Sequence, residues 1–312
     1  MKNRTTFPLI FALCLFLLPP VKGFADALAD AKSAYHSGRY DDAVKFFTAA
    51  AEEGNDQAQC SLGIMYEHGR GVVQDDNKAL VWYTKSALQG NAAAANNLGF
   101  MYYHGRGMQT DYKKALEWYN KAVENKNAGK WVLSMAWSNL GNMYFKGQGV
   151  SVNYAKAAEC YRKGSEKENP YAENNLGYLY EHGMGVKQDR AEAMKWYRAA
   201  AEEGYPFAEQ NLAVMYETGQ GTMLRYDVAL QWYLKAALQG SSFAQYKLGR
   251  RYESGLGTDK DLVEAYKWYY LSSERKDKPA QECLQRLQTV LTPEQIDEAK
   301  KRAASVVFPS HE

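Results

Sequence analysis

Alanine, leucine and tyrosine recur along this chain at helical spacing and then again at a much longer period. Ala58, Ala94, Ala136, Ala172, Ala208 and Ala244 each stand four residues before a leucine: Leu62, Leu98, Leu140, Leu176, Leu212 and Leu248. Four residues after each leucine comes Tyr66, Tyr102, Tyr144, Tyr180, Tyr216 or Tyr252. Positions spaced four apart share one face of a helix, so each block predicts an amphipathic helix. The leucine is followed by glycine in every block except at Ala213. A mid-helix glycine costs about 1 kcal/mol relative to alanine, and its repetition predicts a neighbour that approaches closely at that point. The step between blocks is 36 residues, except for 42 between Leu98 and Leu140.

A second helix is predicted in each block by Ala79, Ala115, Ala157, Ala193, Ala229 and Ala265. Each is followed by Trp82-Tyr83, Trp118-Tyr119, Cys160-Tyr161, Trp196-Tyr197, Trp232-Tyr233 or Trp268-Tyr269. Between the two helices lies a Gly-x-Gly loop, as in Gly69-Arg70-Gly71, suited to a left-handed helix stop and a tight turn. Asp75, Asp111, Asn153, Asp189 and Asp261 are placed to cap the second helix; Arg225 stands at the same position in its block. Self-similarity of this kind predicts stacked helical pairs that contact mainly their neighbours. The expected fold is all-α, eight helical pairs over 26–306 in a right-handed α/α superhelix (a solenoid) with no sheet.

The pattern Ala-x-x-x-Leu-Gly-x-x-Tyr-x-x-Gly-x-Gly-Val-x-x-Asp-x-x-x-Ala-x-x-Trp-Tyr resembles the Sel-1-like repeat (SLR), a relative of the tetratricopeptide repeat. The resemblance covers about residues 56–275, with departures at Cys160, Ala213 and Arg225. It implies a superhelix whose first helices line the concave side, acting as a protein-interaction scaffold or adaptor. Residues 26–54 resemble a tetratricopeptide unit, and 55–278 divide into six SLR units, one of them extended to 42 residues. Residues 279–312 form a capping helical pair and tail, in which Thr292-Pro293-Glu294-Gln295 reads as a capping box.

Residues 1–25 have the layout of a secretory signal peptide. Lys2 and Arg4 precede an apolar stretch, Phe7 to Leu18, which is too short for a membrane span. Small residues allow cleavage after Gly23, Ala25 or Ala27. The remainder holds no comparable apolar run, so no membrane span is expected in the mature chain. Export is therefore expected, to a bacterial periplasm first and secretion second; the mature part has no Asn-x-Ser/Thr glycosylation site. Without Lys2, Arg4 and Lys22 the chain carries 35 basic and 36 acidic residues, and this balance gives no support to nucleic-acid binding. Cys60, Cys160 and Cys283 lie in different units and are expected to be free thiols.

No catalytic or metal-binding constellation stands out, and no cofactor is expected. The Gly-x-Gly loops follow helices and lack a Gly-Lys-Ser/Thr continuation, which argues against phosphate binding. His68, His104 and His182 share one register, but Lys146 interrupts a metal ladder. Ser273 and Lys276 fit Ser-x-x-Lys, yet the Ser-Asp-Asn and Lys-Thr-Gly partners of that chemistry are missing. A weak hydrolase or binder of β-lactam or cell-wall peptide is the alternative to a scaffold. The expected partner is a protein or peptide, and the expected process is one of the cell envelope. Its candidate contacts lie two residues before and after each leucine, on the face opposite the Ala/Leu/Tyr stripe: Asn96, Phe100, Asn142, Asn174, Tyr178 and Arg250. The six-residue insertion within Glu124–Met135 adds Trp131, read either as a contact loop with aromatic anchors or as cover for a neighbouring unit.

Overall fold

The computed structural model describes residues 25–166 and 169–309; the leader reading of 1–25 falls almost entirely outside them. The described residues hold sixteen α-helices and no strand. They fall into two compact units divided between Asn169 and Pro170. In the first, α1 (Ala25–His36), α2 (Tyr40–Glu52), α3 (Asp56–His68) and α4 (Asp76–Leu88) are followed by α5 (Ala92–His104), α6 (Tyr112–Glu124), α7 (Lys130–Lys146) and α8 (Tyr154–Ser165). The second holds α9 (Pro170–His182), α10 (Arg190–Glu202), α11 (Pro206–Thr218), α12 (Tyr226–Leu238), α13 (Ser242–Ser254), α14 (Leu262–Ser273), α15 (Lys278–Gln288) and α16 (Pro293–Ala304). Odd-numbered helices are the first of each pair, even-numbered the second.

The glycine after the leucine does what its cost implies. A Cβ on Gly63 would lie 2.6 Å from the ring of Tyr83, and one on Gly249 would lie 2.5 Å from Tyr269. The tyrosine of each Trp-Tyr pair is buried against that bare backbone. Its hydroxyl then donates to a side chain at the end of the first helix: Tyr83 to Glu67 at 2.7 Å, Tyr197 to Glu181 at 2.7 Å, Tyr269 to Glu253 at 2.8 Å. Where glutamate is absent, Tyr161 donates to Asn142 at 2.8 Å. These pairs are thus closed by apolar burial and one hydrogen bond to a carboxylate or amide.

The two loop glycines have separate tasks. Gly69 ends α3 in the left-handed region at φ 66°, its N–H bonded to the Met65 carbonyl. Gly71 rests on the pair before it: a Cβ there would lie 2.5 Å from the carbonyl oxygen of Tyr40, the first residue of α2. The expected caps form at Asp75, Asp111, Asn153, Asp189 and Asp261, each accepting a backbone N–H of its helix. Arg225 makes no cap and instead binds Asp227 through two nitrogens, at 2.9 and 2.7 Å. Asn55, Asn91, Ser241 and Asp277 cap first helices, a set the sequence pattern did not single out. Thr292 and Gln295 form the capping box.

Candidate interaction site

The six concave-face candidates do not share one environment. Asn96 and Asn174 are buried, and each accepts a hydrogen bond from the next first helix of its unit: Asn139 to Asn96 at 3.0 Å, Asn211 to Asn174 at 2.9 Å. Phe100 is buried too, its ring 4.3 Å from the His104 ring. Asn142 is half-buried and accepts from Tyr161. Only Tyr178 and Arg250 are exposed, Tyr178 against His182 at 4.2 Å and Arg250 donating to the Tyr246 hydroxyl at 3.3 Å. The expectation that the asparagines present amides to a client is therefore corrected for Asn96 and Asn174: successive first helices pack closely enough to consume them. The donors, Asn139 and Asn211, stand one residue before their leucines, as do Asn97 and Asn175. Asparagine at one register in four consecutive blocks was the available signal.

A second column was missed, five residues before each leucine: Gln57, Ala93, Met135, Tyr171, Phe207 and Phe243. It continues the same helix face, since 207, 210 and 214 are spaced i, i+3, i+7. Phe207 and Phe243 are each 41% exposed, at the same register in α11 and α13. Phe207 stacks 5.5 Å from Tyr205, which lies 6.4 Å from Tyr171, so an aromatic row runs along the starts of α9 and α11. Phe243 has Lys247 Nζ 5.5 Å above its ring, and Arg250 lies one turn further along α13. In the first unit the corresponding residues are small or unbranched, and the opposite helix ends carry His68, His104 and Lys146, with Arg70 and Arg106 in the loops. Arg106 binds the buried Glu67 at 2.5 Å.

The two tryptophans at the insertion sit in different environments. Trp137 is half-buried beneath Lys163, whose Nζ stands 4.3 Å from the ring centroid. In other pairs the lysine of the second helix covers the tryptophan of the Trp-Tyr pair, as Lys121 covers Trp118 at 3.9 Å and Lys235 covers Trp232 at 4.0 Å. Trp137 takes the place of the tryptophan missing at Cys160. Trp131, at the start of α7, is 41% exposed.

Ser273 is the last residue of α14, and its hydroxyl donates to the Tyr270 carbonyl at 2.8 Å. Lys276 lies beyond the helix end with φ 64° and is exposed. This is a helix stop, with the hydroxyl occupied by its own backbone. No group of three or more potential metal ligands occurs among the described residues. Cys160 and Cys283 are free, and burial pushes the Cys160 thiol up to about 12. Cys60, in contrast, is disulfide-bonded, which corrects the expectation of three free thiols.

Helical pairs that repeat a closed internal joint while varying one outward face define a repeat scaffold. The chain belongs to the Sel1 repeat family: the Sel1 repeat matches residues 39–55, 56–91, 92–127, 135–169, 170–205, 206–241 and 242–277. The first of these seven overlaps the segment 26–54 that resembles a tetratricopeptide unit. Among solved structures, the chain is similar to a protective antigen present in uropathogenic Escherichia coli strains, which displays an SLR fold. The two share 32% identity and a TM-score of 0.74, over 89% of this chain and 61% of that one. The chain thus spans about three fifths of that antigen's chain. It is also similar to a Sel1 repeat protein from Oxalobacter formigenes, with 31% identity and a TM-score of 0.72 over 81% of this chain and 98% of that one. No curated protein sequence matches the chain.

Proposed function

We propose that the protein is an exported, non-catalytic adaptor that holds a protein or peptide partner on the outward faces of its first helices. The second unit supplies the main anchors. The observation that carries this reading is the pair Phe207 and Phe243, exposed at one register in consecutive repeats, with the exposed Arg250 beyond them. Rigid aromatics give large contact area for little entropy, and a guanidinium can bind a carboxylate through two bonds. Tyr178, with its exposed ring on α9, extends the same face. Asn96, Phe100 and Asn174 set the spacing of the helices beneath such a surface. Export is supported by the layout of Lys2, Arg4 and Phe7 to Leu18.

Two experiments test this. Mass spectrometry of the mature amino terminus from fractionated cells should find a start after residue 23, 25 or 27 in an envelope or secreted fraction; an intact Met1 in the cytosol overturns export. Crosslinking and co-purification from the native envelope should capture a partner whose affinity falls with Phe207→Ala, Phe243→Ala or Arg250→Ala. Wild-type affinity in all three variants overturns the assigned face.

A further inference from the structure

The position three residues before each leucine forms the joint between successive pairs. It holds Gln59, Ala95, Trp137, Glu173, Glu209 and Gln245. Gln59 shows how the joint works when an amide fills it. Its Nε2 donates to the Ala51 carbonyl in the last turn of α2 at 3.0 Å, and its Oε1 accepts from Gln89 at the end of α4 at 2.7 Å. Gln245 makes the same donation, to the Ala237 carbonyl at the end of α12, at 3.1 Å. In both cases the carbonyl also accepts a backbone N–H, from Gly54 and Gly240 respectively.

Glu209 occupies this joint between α10, α11 and α12 with 2% of its surface exposed. Gln239, the register equivalent of Gln89, donates to its Oε2 at 2.9 Å. The register equivalent of Ala51 and Ala237 is Ala201, whose carbonyl accepts from the Gly204 N–H at 3.0 Å, as theirs do from their glycines. A carboxylate has no hydrogen to offer that carbonyl; a carboxylic acid has one.

We propose that Glu209 acts as a proton-dependent latch: protonated, it donates to the helix-end carbonyl that glutamine serves elsewhere, and ionised, it loosens the joint between α10 and α11. The groups packed against it favour this. α10 presents the end of its backbone, where carbonyl oxygens concentrate negative charge. From α12 come Lys235 and the Gln239 amide, both of which stabilise the ionised form but do not overcome burial. Desolvation holds the Glu209 carboxyl at about 7, well above the usual carboxylate range. A raised folded-state value makes the joint strongest below the unfolded value of about 4.3, with strength lost as pH rises through about 7.

The proposal does not depend on the partner-binding face and is tested without a partner. Thermal melts of the full chain and of Glu209→Gln are compared from pH 5.5 to 8.5. The variant installs the side chain found at Gln59 and Gln245, so it should fold. Wild type should lose melting temperature relative to the variant as pH rises from 5.5 to about 7, with the gap widening by several degrees and levelling off above that. The histidines titrate equally in both proteins and cancel in the difference. A second readout follows the carboxyl carbons of labelled glutamates by nuclear magnetic resonance. One resonance should titrate near pH 7 in the wild type and vanish in the variant. Parallel melting curves, or glutamates that all titrate below pH 5.5, would overturn the latch.

Discussion

The two units use one frame to carry different chemistry. In the first, the closing tyrosines Tyr83, Tyr119 and Tyr161 lie on Gly63, Gly99 and Gly141; in the second, Tyr197 and Tyr269 lie on Gly177 and Gly249. The outward faces differ. The first unit places small or unbranched side chains at its helix starts and His68, His104 and Lys146 at its helix ends. The second has Tyr171, Phe207 and Phe243 at the starts and His182, Thr218 and Ser254 at the ends. Columns that meet a neighbouring backbone have little freedom, because even one added carbon lies closer than van der Waals contact permits. Columns that face outward are free to diverge, and recognition can change without refolding the array.

The largest expected effect attacks the shared frame. Gly141→Val and Gly177→Val should each cost about 3 kcal/mol, from overpacking against Tyr161 or Tyr197 and from β-branching. Chemical denaturation measures both. Costs that differ severalfold between the two positions would break the claim of one common frame. A smaller effect concerns the faces: Phe207→Ala or Phe243→Ala should weaken partner binding by at least about 1 kcal/mol, and Ala93→Gln in the first unit should leave it unchanged. Titration with the captured partner reads this, and the reverse ranking would move the site to the first unit.

A gain of about 1 kcal/mol is expected for Arg225→Asn, which gives α12 the side-chain cap that its counterparts have. A melt that does not rise would mean that the Arg225 pairing with Asp227 already compensates. The smallest effect is one of sign. Burial, with the Arg106 and Lys146 charges, lowers the His104 value, and burial likewise lowers that of His68. A depressed histidine value means that the unfolded chain binds more protons just below pH 6.5, so stability falls on acidification. The second unit should weaken through Glu209 as pH rises from 5.5 to about 7, the first as pH falls below about 6.5. Amide exchange followed separately in α3–α6 and α10–α12 at pH 5.5, 7 and 8.5 distinguishes the two trends, and a common direction would refute the contrast.

The frame was legible in the sequence because its causes are local and repeated. Helix spacing, the glycine after each leucine, the left-handed stops and the second-helix caps all recur at one period. The face was only half legible. Asn96 and Asn174 sit opposite the Ala/Leu/Tyr stripe of their own helices, as expected, but a helix has more than two sides. The third is covered by the next repeat, at a distance that no single-helix pattern reveals. Trp137 shows the same limit: it lies just past the insertion in sequence, and it fills a gap left by Cys160 on another helix.

Seating a loop on the preceding helical pair, as Gly71, Gly107, Gly149, Gly221 and Gly257 do, has a consequence for how such arrays change length. The glycine of one repeat completes the surface of its predecessor, so a unit is not a self-contained brick. Copying a whole 36-residue step preserves every such seat, whichever residue the copy starts from. The six extra residues of this chain instead lengthen the connection between α6 and α7 and the start of α7, where no loop glycine is displaced. At the far end α15 is followed by no Gly-x-Gly loop, so none rests on the start of α14. Arg302 of α16 serves its start, 3.8 Å from Asp261 and 3.6 Å from Glu264. Duplication is therefore expected to add repeats upstream of α14 and to leave the last four helices in place as a fixed terminus.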